Sequence, residues 1–269
     1  MRNLCWVLVL VLIFFLSGCG GKYFKVTEKD YQERVKTLGV LPLLVDENST
    51  ILHPDRMAIL QMLRENDTMK EDRLIDILKD QRNYFDVRAI PGDPRELFKQ
   101  LVAGSALIGQ GDSLAKSYTF NPKKTAELAV HNVVDGLLVV ILYGQERTET
   151  RWDRTHLLYL KAPFNNIQAT AFVVLPNGQI VWEFPGKPGE SFLQLQYPDF
   201  DEAHYNKSDT VQIKFVSLQG LERILTEKDR GMLGGTSFEK RYEELFDSIA
   251  SALKPSLSTL LQSGTSSAK

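Results

Sequence analysis

The sequence predicts an α/β (α+β) sandwich: a mixed β-sheet with helices packed on it and a C-terminal antiparallel hairpin. Three features point there. The run "GLLVVILYG", 136–144, is apolar without alternation, as in a central strand covered on both faces. Apolar runs of this kind are separated by amphipathic segments, two of which open on Asp93-Pro94 and Asn121-Pro122, a capping residue followed by proline at the first helical position. The segment "NIQATAFVVLPNGQIVWEF" is two β-rich runs around Pro176-Asn177-Gly178, a hairpin turn in which Asn-Gly supplies positive φ.

From the N-terminus, Arg2 precedes an uncharged run of 13 residues, Leu4 to Leu16. A spanning helix needs roughly 20 apolar residues, so the run is short for one and fits the layout of a secretory signal peptide, assigned to 1–18. It ends Leu16-Ser17-Gly18-Cys19, which resembles the lipobox of bacterial lipoproteins. The resemblance implies cleavage before Cys19, a diacylglycerol on its sulfur and membrane attachment through acyl chains, two or more of which hold stably. Gly20 follows, rather than the aspartate that retains such proteins in the inner membrane, and this implies the periplasmic face of the outer membrane. Cys5 leaves with the signal, so the mature chain has neither a free thiol nor a disulfide.

Residues 19–35 are polar and of mixed charge and read as a tether. A single periplasmic domain is assigned to 36–262, and a frayed tail to 263–269. Within the domain, "TLGVLPLL" (37–44) reads as a strand and "KEDRLIDILKDQ" as a helix with Leu74, Ile77 and Leu78 on one face. "YFDVRAI" (84–90) reads as a second strand, and the Asp93-Pro94 helix carries Leu97, Phe98 and Leu101. After the hairpin, Thr236 with Glu239 has the spacing of a capping box. It opens a helix with Tyr242, Leu245, Phe246, Ile249 and Leu253 on one face and Pro255 near its end.

The order "LGVLPL", helix, "YFDVRAI", helix, "VDGLLVVILYG", "IQATAFVVLPNGQIVWEF" resembles the periplasmic lipoprotein domain shared by the curli-secretion lipoprotein CsgG, the peptidoglycan-synthase activator LpoB and the amino-terminal domain of TolB. Those proteins carry an alanine-aspartate pair where this chain has Val134-Asp135, and a "D-x-x-T-G-x-I-V-W" hairpin where it has Leu175 to Trp182. The likeness spans about 36–185 and the last helix; 145–165 and 186–235 read as inserted loops without a counterpart. It implies a non-enzymatic accessory factor that binds another envelope component, a cell-wall enzyme or a transport or secretion complex. The alternative it implies is a subunit of an oligomeric outer-membrane export pore of the curli-secretion type.

Composition limits the alternatives. Lys and Arg number 32 against 34 acidic residues, so no basic excess marks a nucleic-acid surface. Ser113-x-x-Lys116 has the spacing by which lysine activates serine, but the same spacing recurs at Ser237/Lys240, Ser251/Lys254 and Ser266/Lys269 without the accompanying motifs. His53, His131, His156 and His204 are scattered, and the acidic run 199–209 lacks EF-hand spacing and reads as a solvated loop, with a hard cation as its other reading. No catalytic, cofactor or metal site is assigned. "QERTETRWDRTH", 145–156, has two readings: a charged loop or edge strand that resists aggregation, or a docking surface anchored by Trp152 with Arg151 and Arg154.

Overall fold

The computed structural model describes residues 23–65, 68–110, 114–187, 189–201, 210–228 and 238–255. The expected signal peptide (1–18), Cys19, Thr236 and the expected tail (263–269) therefore lie outside the described residues. The chain folds as expected into a mixed sheet with helices on both faces. The strands are β1 (Thr37–Val40), β2 (Leu44–Asp46), β3 (Asp86–Ala89), β4 (Val102–Ile108), β5 (Ala115–Phe120), β6 (Gly136–Trp152), β7 (Tyr159–Val174), β8 (Ile180–Phe184), β9 (Leu193–Gln194), β10 (Gln196–Asp199) and β11 (Gln212–Phe215). The helices are α1 (Glu28–Arg34), α2 (Arg56–Arg64), α3 (Thr68–Asp80), α4 (Pro94–Leu101), α5 (Pro122–Asn132), α6 (Leu218–Thr226) and α7 (Lys240–Ala252).

The main sheet has the order β3-β1-β6-β7-β8. β1 and β2 pair in succession along one edge of β6, both parallel to it. β8 and β9 pair in succession along β7, both antiparallel. Period-two alternation divides β6 between two cores. Leu138, Val140 and Leu142 face α2, α3 and α7, with Leu60, Leu78 and Phe246. Leu137, Val139 and Ile141 face the side of α4, α5 and β5, with Leu101, Ala129 and Tyr118. A strand buried on both faces must be apolar throughout, which is why this run is the clearest signal in the sequence.

Local signals hold where the chain serves itself. Asp93 Oδ1 accepts from Arg95 N and Glu96 N at 3.0 Å, and Asn121 Oδ1 accepts from Lys123 N at 3.0 Å, so both proline-led helices are capped as expected. At the β7–β8 turn only Gly178 has positive φ, with a register shift between Val173 and Val174. Expectations fail where the tertiary context decides. Residues 23–35 are not a free tether. Tyr23 O accepts from Glu183 N, Lys25 N donates to Val181 O, and Phe24 bridges to Trp182, so this segment covers the outer edge of β8. α1 follows, and its Tyr31, with Val35 just past its end, is buried in the core.

Candidate functional site

β6 and β7 stay paired for sixteen residues each, from Leu137 with Val174 out to Trp152 with Tyr159. Their inner halves form the middle of the sheet. Their outer halves, 145–152 and 159–166, continue as a stalk. In sequence, 145–165 reads as an inserted loop without a counterpart in the resembled domain, and the charged run 145–156 within it as a loop or edge strand, or as a docking surface. The structure corrects this: one face of the stalk is covered, and its charges are paired there.

That covered face carries Gln145, Arg147, Glu149 and Arg151. Arg147 Nε donates to Glu149 Oε1 at 2.7 Å, and Arg147 Nη2 to Glu190 O at 2.8 Å. Arg151 Nη2 donates to Glu149 Oε2 and to Asn166 Oδ1, both at 2.8 Å, its Nη1 donates to Gln196 O, and its guanidinium lies 3.9 Å from the Phe164 ring centre. Burial pulls the Arg151 pKa below its ordinary value, and Glu149 opposes that. The stalk is braced by Asn165, whose side-chain amide donates to Thr50 O at 2.8 Å and whose Oδ1 accepts from Leu52 N at 2.9 Å. At the point where β6 leaves the sheet, Gly144 N donates to Ser49 Oγ at 2.8 Å. A Cβ on Gly144 would overlap Thr50 O and the Ile51 side chain, so only glycine admits this loop.

The tip is built on Asp153. Its Oδ1 accepts from Leu157 N at 2.9 Å and Leu158 N at 3.1 Å, and its Oδ2 from Thr155 Oγ1. Its own N donates to Leu158 O, and its O accepts from His156 N. The Thr155 hydroxyl, then the backbone amides, hold the Asp153 carboxyl below the usual carboxylate range. On this frame stand Trp152, Leu157, Leu158 and Tyr159, respectively 49%, 80%, 57% and 61% exposed. The Trp152 and Tyr159 rings are 5.1 Å apart. Of the three expected docking residues, the structure places Trp152 on the exposed face of the tip and Arg154 in solvent, 3.5 Å from Asp201, and turns Arg151 into the stalk. Leu157, Leu158 and Tyr159 were missed. Their signal is "HLLYL", five residues with four large apolar side chains directly after a polar loop.

Of the remaining candidates, Lys116 and His53 are structural. Lys116 pairs with buried Asp46 at 2.5 Å, and Tyr118 OH donates to the same oxygen at 2.9 Å, which fastens β5 to the sheet. Ser113 lies outside the described residues. His53 is buried, with Nε2 2.9 Å from Val216 O and Nδ1 accepting from Asp55 N. Among the described residues no group of three His, Cys, Asp or Glu is placed to hold a metal. Most of the acidic run 199–209 lies outside them. An open depression of about 550 Å³ beside Phe184, Phe192 and Ile224 has its charges paired with each other, Lys187 with Glu190 and Arg241 with Glu244.

No family model matches the chain, and no curated protein matches it. Among solved structures it is similar to a dodecameric PelC variant from Paraburkholderia phytofirmans, at 15% identity over 56% of this chain and 69% of that one, with a TM-score of 0.26. It is also similar to a neuraminyllactose-binding hemagglutinin homolog from Helicobacter pylori, at 9% identity over 82% of this chain and 86% of that one, with a TM-score of 0.34. Both superpositions are loose.

Proposed function

We propose that this chain is a non-enzymatic accessory lipoprotein of the bacterial envelope. Acyl chains on Cys19 hold it to the outer membrane, and its folded domain docks on another envelope component through the tip of the β6–β7 hairpin. The observation that carries this reading is the tip itself. Four large apolar side chains stand clear of both cores at the end of a stalk whose buried arginines are engaged by Glu149 and by the carbonyls of Glu190 and Gln196. Side chains so placed contribute little to folding, whereas exposed aromatics beside arginine are the residue types that anchor interfaces. A pore subunit fits the stalk less well. A membrane-spanning hairpin needs about ten residues with one apolar face, and here one face holds Arg147, Glu149 and Arg151 while the other exposes Glu146, Thr148, Thr150 and Lys161.

Trp152→Ala tests the reading. Its loss removes one cross-strand ring pair, about 0.2–1 kcal/mol, so the thermal melt is expected to move little. Crosslinking of the chain to its neighbours in intact envelopes is expected to fall several-fold. A destabilisation of about 3–5 kcal/mol, the cost of emptying a core site, makes Trp152 structural and ends the proposal.

A further inference from the structure

We infer that what the hairpin tip docks on is a lipid surface, the headgroup–acyl boundary of the bilayer that holds the anchor. The inference rests on the docking reading above and names its partner. Four observations lead to it.

The first is the backbone. At the tip, the amides of Asp153, His156, Leu157 and Leu158 all donate within the loop, and the Asp153 carboxylate is consumed in doing so. An amide left unsatisfied costs most where water is scarce, so a loop that satisfies these four amides internally is better suited to approach that boundary. The second is composition. Trp and Tyr sit at the membrane–water interface with their polar edges wet, leucines face the acyl chains, and cations meet the phosphates. The tip supplies Trp152, Tyr159, Leu157 and Leu158, with Arg154 and Lys161 exposed beside them. The Arg154 contact to Asp201 joins two exposed side chains, 91% and 71%, and so is weak enough to exchange for a headgroup.

The third is size. Four half-exposed side chains offer on the order of a few hundred Å², against about 800 Å² per partner in a stable protein interface. A bilayer sets no such threshold, and a chain already held by its lipid meets it at high effective concentration. The fourth is direction. Lys25 lies beside Val181 and Tyr23 beside Glu183, so towards its N-terminus the chain runs along β8 in the direction of the tip. Residues 19–22 span at most about 14 Å, while Ala171, level with Phe184, lies twelve residues or roughly 40 Å from Tyr159 along β7. The described chain thus heads, from Lys25 to Tyr23, towards the end of the sheet from which the stalk leaves.

The test uses the mature, lipidated chain reconstituted in vesicles of phosphatidylethanolamine and phosphatidylglycerol with brominated acyl chains. Trp182 is fully buried, so Trp152 is the residue that bromine can reach. The expected result is quenching of Trp152 emission, absent in Trp152→Phe and lost in Leu157→Asp/Leu158→Asp, with the melt of both variants unchanged. Unquenched Trp152 emission overturns the inference. A photocrosslinker replacing Leu157 in intact envelopes then separates the two failures. Protein adducts without quenching leave the docking reading standing and remove the lipid, and neither adducts nor quenching removes both.

Discussion

Arg151 and Arg154 are three residues apart and have opposite fates. Arg151 serves Glu149, Asn166 and Gln196 inside the stalk, with its side chain 10% exposed. Arg151→Ala leaves Glu149 short of a partner in a partly buried site and is expected to lower stability by about 2–4 kcal/mol. Arg154→Ala is expected to stay within about 0.5 kcal/mol, and urea unfolding of the two variants side by side measures the difference. On the other side of the sheet, Glu71 of α3 has a buried Oε1 without a hydrogen-bond partner, and burial, then Asp72, pushes its carboxyl up to about 7. An acid that holds its proton more tightly folded than unfolded loses stability on ionising. The loss begins above the usual 4.5 and is complete above about 7. Glu71→Gln is therefore expected to raise the melting temperature at pH 8, by the equivalent of about 1 kcal/mol since the group is partly solvated, and to leave it unchanged at pH 4.

At the scale of elements, the N-terminal segment and the stalk show the same thing: polar sequence does not mean unstructured chain. α1 has acidic residues in its first turn and Arg34 in its last, and Thr27 caps it, its Oγ1 accepting from Asp30 N at 3.1 Å. Its burial rests on Tyr31, whose hydroxyl lies 2.7 Å from that of Tyr84 and whose ring packs edge-on against Phe24 at 5.0 Å. Removing residues 23–33 strips Phe24 and Tyr31 from the core and uncovers the edge of β8. The shortened chain is expected to lose at least about 3 kcal/mol in denaturant unfolding. Retention of full stability would return this segment to the role of tether. In the stalk, alternating charges are compatible with a long strand because Glu149 pairs with both Arg147 and Arg151 on the covered face and backbone carbonyls of Glu190 and Gln196 accept from the two guanidinium groups, while Pro163 blunts its outer edge.

Across the whole molecule, the sheet and its two cores were legible in the sequence because each of their signals is local. An unbroken apolar run such as 136–144 can only be a strand covered twice, and Asp-Pro and Asn-Pro cap their own helices. The Cys19 lipobox, too, is read from contiguous residues and stands as part of the proposed function. What contiguous residues could not decide is which polar and aromatic groups find partners far along the chain. Tyr31 is core because Tyr84, 53 residues away, meets it, and Arg151 is structural because Gln196 comes to it across 45 residues. Trp152 is left exposed because β6 runs eight residues past the end of the packed sheet. Burial and pairing are properties of the assembled fold: the chain's own chemistry set the strands and helices, and only the tertiary structure separated the stalk's internal charges from the exposed side chains of its tip.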